Sequence, residues 1–155
     1  MALACDILIG NSTTKFKDTH VKFGLAPCWG LSQKLQRRIG PGRAKLTSFT
    51  ASTIHGEQAY QWGLLDDYIS KSEDSNELFQ RALEIADQIA ENDGTMVRRY
   101  KRAIVEGGSM DFDKGLKRER ELAFAHYWQI TGSQSSTMQD AKQFITDESR
   151  TRSKL

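Results

Sequence analysis

Apolar positions follow two rhythms along this chain. In the first seventy residues they form short runs broken by glycine, and beyond that they recur at helical spacing. Cys5-Asp-Ile-Leu-Ile-Gly10 is a short apolar run bounded by glycine, which predicts a buried strand. Asn11-Ser-Thr-Thr14 predicts a turn and Lys15-Phe-Lys17 a second short strand. Phe23-Gly-Leu-Ala-Pro27 reads as a loop, because Gly24 and Pro27 punctuate it. The stretch Trp29–Ile39 predicts a helix with Leu31, Leu35 and Ile39 on one face, ended by Gly40-Pro-Gly42. Arg43 to Phe49 predicts another helix. Thr53 to Gly63 predicts a turn, a short helix and a glycine stop, after which Leu64–Ile69 returns as a strand.

The second half predicts helices. Leu78, Ala82, Ile85, Ala86 and Ile89 keep a period of about 3.6, with Asp74 and Ser75 as caps. Gly94 separates this helix from one that carries Met96, Tyr100 and Ile104 on one side and Arg98, Arg99, Lys101 and Arg102 on the other. Gly107-Gly108 breaks it. A long helix follows from Phe112 to Trp128, then a last one over Ser136–Ile145, and residues 146–155 form a polar, loose tail. The expected organisation is an α/β core over 1–70, a helical region over 71–145 and the tail. The strands all lie near the start, and one beginning at residue 5 leaves a sheet edge without a partner. The chain is therefore expected to be part of a larger domain.

Composition narrows the partners. Lys and Arg total 22 against 20 Asp and Glu, a net charge of +2, too balanced to argue for nucleic acid. The two cysteines, Cys5 and Cys28, do not make a disulfide scaffold and point to a reducing compartment. No apolar run reaches the ~18 residues of a membrane span, and Met1-Ala-Leu-Ala-Cys5 meets Asp6 without the basic start of a signal peptide. His55 and His126 have no ligand-type partner one helical turn on, so no metal site is expected. The sequence ends in Ser153-Lys154-Leu155, with Arg150 and Arg152 just before. As a terminal tripeptide this is a peroxisomal address read by an import receptor.

A series of motifs adds to this reading. Ala2-Leu-Ala-Cys-Asp6 leads into the first strand, followed by Phe16, Phe23-Gly24, Pro27 and Gly30-Leu-Ser-Gln-Lys-Leu35. Then come Thr50-Ala-Ser-Thr-Ile-His-Gly-Glu-Gln-Ala59 and Trp62-Gly-Leu-Leu65. In this order, over roughly residues 1–105, they resemble the enoyl-CoA hydratase/isomerase (crotonase) family, most of all its plant peroxisomal members. The resemblance implies the C-terminal part of a crotonase-like (ClpP/crotonase) α/β domain with a trailing helical region. It also implies hydration or isomerisation of fatty enoyl-CoA thioesters in β-oxidation, without a metal or redox cofactor. Self-association as a trimer or hexamer is implied as well.

Family hydratases add water across the 2,3 double bond with two carboxylates. Aligned on Cys5-Asp6, the first glutamate would sit one residue before Met1, and the segment supplying both oxyanion-hole amides would precede it. The second glutamate falls at His20, within Phe16-Lys-Asp-Thr-His20-Val-Lys-Phe-Gly24. An imidazole can transfer protons near neutral pH, and Asp18, two residues earlier, is the alternative carboxylate; the other reading of His20 is a polar loop histidine with no catalytic role. Cys28 takes the place of a residue lining the reacting carbons, commonly a glycine whose N–H holds the water. Its own N–H would lie at the start of the helix near Trp29. The bland alternative is a small buried core residue. The resemblance further implies that Pro27, Trp29 and Gly30 line the substrate site. Lys101, on the basic helix face, would touch CoA phosphates, unless that face is simply solvated. A lysine contact the family often makes after a C-terminal Phe is in doubt here, where Ile-Thr-Asp-Glu148 follows Phe144. The rival reading is a non-catalytic chain, either a truncated product or an assembly subunit.

Overall fold

The computed structural model describes residues 2–70 and 74–131, and the chain divides into two units, Met1–Gln88 and Ile89–Leu155. The first unit is built on two small strand pairs. β1 (Ile9–Asn11) runs parallel to β4 (Asp67–Ile69), with Gly10 opposite Tyr68. β2 (Lys15–Lys17) runs antiparallel to β3 (Thr53–His55), with Phe16 opposite Ile54. Three helices pack on them: α1 (Leu31–Ile39), α2 (Pro41–Thr50) and α3 (Gly56–Gln61). Leu8, Leu35, Ile39, Ala44, Ile54, Ala59, Leu64 and Leu65 form the core, with Phe16, Trp62 and Tyr68 packed against it.

The predicted elements are recovered with shifted boundaries, each for a local reason. The strand expected from Cys5 begins only at Ile9. Ala2–Ala4 form a 3-10 turn, the Cys5 amide closes on the Ala2 carbonyl at 3.0 Å, and Cys5 is exposed. Leu8 precedes the ladder and bonds to Asp66 instead: its N–H donates to Asp66 Oδ2 at 2.7 Å, and its carbonyl accepts the Asp66 amide at 2.7 Å. Asn11, expected in a turn, ends β1 and is buried. Its side-chain oxygen satisfies the turn after it by accepting from the Thr13 amide, Thr13 Oγ1 and Thr14 Oγ1. Thr53–His55, expected as a turn, is a strand because β-branched Ile54 is buried there. Leu64 and Leu65, expected in a strand, instead fill the core from a turn. Gly63 is left-handed (φ +77°), and both leucine amides bond the Ala59 carbonyl. Gly40 ends α1 as predicted, and Pro41 then starts α2 at once, its missing N–H harmless in a first helical turn. Gly56 has a packing reason to be glycine: a Cβ there would collide with the Asn11 carbonyl.

Helix α4 (Ser75–Ala90) is capped as predicted, the Asp74 carboxylate accepting from the Asn76 amide at 2.8 Å. Arg81 ties it to β4 through Asp67 at 2.7 Å. Leu78, Ala82 and Ile85 turn inward, but Ala86 and Ile89 are exposed, so the predicted apolar face is covered only along its first half.

The second unit pairs α5 (Gly94–Gly107) with α6 (Phe112–Thr131). Asp93 caps α5 by accepting from the Met96 amide at 2.8 Å. The helices approach closely at Gly107 and Gly115, where a Cβ on Gly115 would lie 3.3 Å from the Gly107 carbonyl oxygen. That contact rotates α5 away from its predicted face. Met96 and Ala103 are half-buried, whereas Tyr100 and Ile104 are 75% and 68% exposed. Beside the glycines, Glu106 receives Arg102 Nε and Arg118 Nε, each at 2.6 Å, and these hydrogen bonds hold its carboxyl below the usual range. No helix among the described residues is long and apolar enough to cross a membrane. The helix expected over Ser136–Ile145, and the tail with Ser153, Lys154 and Leu155, lie outside the described residues.

Candidate active site

The loop between β2 and α1 gathers the reactive side chains. Asp18 follows β2 directly, and a 3-10 turn over His20–Phe23 comes next. An aspartate two residues before a turn amide can fold back on it, and Asp18 Oδ1 accepts the His20 N–H at 3.1 Å. The same oxygen lies 2.7 Å from His20 Nδ1. The two residues that the sequence offered as alternatives are therefore one hydrogen-bonded unit.

This contact fixes the imidazole. With Nδ1 donating to Asp18, Nε2 carries the lone pair, and Nε2 lies 3.6 Å from Cys28 Sγ. The side chains of His20 and Asp18 are 20% and 8% exposed. Burial alone would raise the Asp18 carboxyl. Hydrogen bonds from the His20 amide, the imidazole and Ser48 on α2 outweigh that and hold it below the usual carboxylate range.

Cys28 is exposed, which removes the reading of a buried core residue. Its carbonyl accepts the Leu31 amide at 3.1 Å, placing it just ahead of α1. Trp29 (φ +52°) and Gly30 (φ +76°) are both left-handed. Glycine adopts this conformation freely, whereas for a bulky residue such as Trp29 it is an outlier. Trp29 is 89% exposed.

A cleft of about 270 Å³ opens beside Asp18 and His20. Loop residues Val21, Leu25 and Pro27 form one side, Leu31 and Leu35 of α1 another, and Ala44, Lys45, Ser48 and Phe49 of α2 the third. Of the predicted substrate-site residues, Pro27 lines the cleft. Cys28 and the Trp29 and Gly30 that follow it lie outside the cleft lining, and Lys101 is exposed in the second unit. The α2 wall was missed. Its signal was available, because Pro41, Ala44, Lys45, Ser48 and Phe49 recur at spacings of three and one, the stripe of a single helix face. Phe23, Leu25 and Phe49 leave 60–72% of their surface open in this part of the unit. A second, more open groove of about 560 Å³ lies between β4 and α4, but its cation, Arg81, is already paired with Asp67 and Glu84.

The sequence profile of the enoyl-CoA hydratase/isomerase family matches residues 1–143. The chain belongs to the enoyl-CoA hydratase/isomerase family. It is 39% identical over 140 residues to a peroxisomal enoyl-CoA hydratase of Arabidopsis thaliana, covering 90% of this chain and 51% of that protein. It is 36% identical over 121 residues to the short-chain-enoyl-CoA hydratase of Clostridium acetobutylicum, covering 78% and 45%. The crystal structure of enoyl-CoA hydratase from Bacillus anthracis matches with a TM-score of 0.74 at 28% identity, over 94% of this chain and 53% of that one. The fold is thus the crotonase α/β fold with a helical C-terminal region, as the motifs implied. The chain spans about half the length of the relatives it matches.

Proposed function

We propose that these residues serve an enoyl-CoA hydratase acting on fatty acyl-CoA thioesters in β-oxidation, as part of a longer polypeptide. The observation that carries this is the position of His20. By the motif resemblance it takes the place of a family acid–base residue, and with Asp18 holding Nδ1 its Nε2 is left as an acceptor at the edge of an apolar cleft. In the proposed reaction a water oxygen bonds to C3 of the enoyl thioester. His20 Nε2 takes the proton that water loses and passes it on to C2, so that one water is added and His20 is regenerated. No electrons are gained or lost overall, so the reaction calls for no redox cofactor, and none of the proposed steps uses a metal. Asp18 acts as a positioning residue, keeping the ring oriented and stabilising its protonated form. Pro27 and the leucines of the cleft suit the acyl chain. Lys101 is proposed as a CoA contact, and the terminal Ser153-Lys154-Leu155 as the import signal to peroxisomes, in keeping with the Arabidopsis relative. Assembly as a trimer or hexamer is proposed from the family.

The 155-residue chain on its own is expected to be inactive. Loss of a single oxyanion donor typically lowers the rate by ~10²–10³, and the half of the relatives that this chain does not span is where both donors are expected. Purified chain and the protein expressed from the reading frame extended upstream should be compared for crotonyl-CoA hydration. The extended protein should be active and should lose ~10²–10⁴ in rate in His20→Ala. Ordinary turnover by the 155-residue chain would overturn the proposal. So would the lack of an in-frame extension, or an extended protein indifferent to His20→Ala.

A further inference from the structure

We infer that Asp18, His20 and Cys28 form a nucleophilic triad in which the Cys28 thiol accepts an acyl group from a thioester. A thiol needs three things to act this way: a base within hydrogen-bond reach, a group that orients the base, and access for the acyl donor. Here Sγ is 3.6 Å from His20 Nε2, and His20 Nδ1 is 2.7 Å from Asp18 Oδ1. Asp18 is almost enclosed, as an orienting carboxylate should be, while Cys28 is exposed. The backbone adds a further sign, since Trp29, the residue after Cys28, holds a left-handed conformation unfavourable for a bulky residue. Such outliers concentrate at functional sites. Water addition to an enoyl group does not require a thiol in this place.

The step balances without an oxidant. His20 Nε2 takes the thiol proton, and sulfur attacks the thioester carbonyl carbon. The bond from that carbon to the donor sulfur breaks, and the departing thiolate recovers the proton from His20. One thioester is exchanged for another, so the equilibrium is close to neutral. That the donor is a CoA thioester rests on the proposed function. The triad itself does not.

Cys5 is also exposed and serves as an internal control. The full chain should be incubated with butyryl-CoA, whose saturated acyl group can react only by exchange. Each cysteine is then followed by peptide mass spectrometry, with hydroxylamine release as proof of a thioester. Cys28 should be acylated at least about tenfold faster than Cys5, the low end of what a positioned base contributes being larger still. His20→Ala should bring the rate and pH profile of Cys28 to those of Cys5, and Asp18→Asn should fall between. Cys28→Ser should lose the label with an unchanged circular dichroism spectrum. Equal rates at the two cysteines, or a Cys28 rate indifferent to His20→Ala, would overturn the triad. Butyryl-N-acetylcysteamine, which lacks the nucleotide, separates the two proposals. If it labels Cys28 as efficiently as butyryl-CoA, the triad stands and the preference for CoA fails.

Discussion

Replacing Asp18 by Asn keeps the side chain's shape and removes its charge, which isolates what the carboxylate does for the loop. In the folded chain that carboxylate accepts from the His20 amide at 3.1 Å and the His20 ring at 2.7 Å, and also engages Ser48. Hydrogen bonds to a charged group contribute about 1.5–3 kcal/mol each at most. Asn retains one acceptor oxygen, so the expected net loss for Asp18→Asn at pH 7 is about 1–3 kcal/mol. The pH dependence follows from the direction of the shift. Asp18 is held below its ordinary value, so its ionised form stabilises the fold. That stabilisation is fully present above the unfolded carboxyl pKa of about 3.9 and is lost as pH falls through the lower, folded value. The part of the gap between wild type and Asp18→Asn that rests on this ionised carboxylate should therefore close as the pH falls below about 4. Trp62 packs against the core of the first unit and reports its unfolding in urea. The Trp29→Phe, Trp128→Phe background removes the other two tryptophans. A gap that persists unchanged at pH 3, or a more stable Asp18→Asn, would refute the account of a stabilising buried carboxylate.

Three further outcomes follow from the packing and the tail. Leu64→Ala empties a site only 1% exposed and should cost about 2–5 kcal/mol in the same urea assay; a loss under 1 kcal/mol would mean the turn after α3 collapses to fill the space. Glu106→Gln removes the charge that Arg102 and Arg118 share, so amide exchange in α5 and α6 should speed up at neutral pH. Exchange identical to wild type would assign the helix pairing to the Gly107–Gly115 contact alone. Deleting Ser153-Lys154-Leu155 from a fluorescent fusion should leave it in the cytosol, because the receptor reads those side chains and the free carboxylate; continued peroxisomal entry would refute the assignment.

Helices announced themselves through periodicity and caps, and strands did so poorly, for a physical reason. Each strand here is only three residues long, too short for a period of two to show. Its position depends on partners far away in sequence: β1 ends where it does because β4 pairs with it some sixty residues later. Leu64 and Leu65 carry the hydrophobic signature of a strand, yet they reach the core from a turn set by Gly63. Burial, which periodicity detects, does not specify backbone conformation. On α5 the glycines decided the packed face, since helix backbones approach most closely where side chains are smallest. A reading that counts only apolar residues points to Tyr100 and Ile104 instead.

The site shows the same division between local and distant information. The Asp18–His20 contact spans two residues and is written into the local sequence as an aspartate preceding a turn. On an extended backbone, residues two apart would point to one side as independent groups. The turn at His20 replaces that geometry with a direct hydrogen bond. Cys28 required more, because it meets His20 across eight residues of loop that turn back at the left-handed Gly24. The consequence for chemistry is that mutating His20 alone cannot separate its possible tasks. In the two proposals the same Nε2 is the acceptor, once for a water adding to a double bond and once for a thiol attacking a carbonyl. Cys28→Ser separates them: it removes the sulfur nucleophile and leaves the Asp18–His20 pair in place. Hydration in the extended protein should therefore survive Cys28→Ser while acylation of the residue disappears. Loss of both together would mean that the sulfur takes part in positioning His20, and that the loop works as a single three-residue unit.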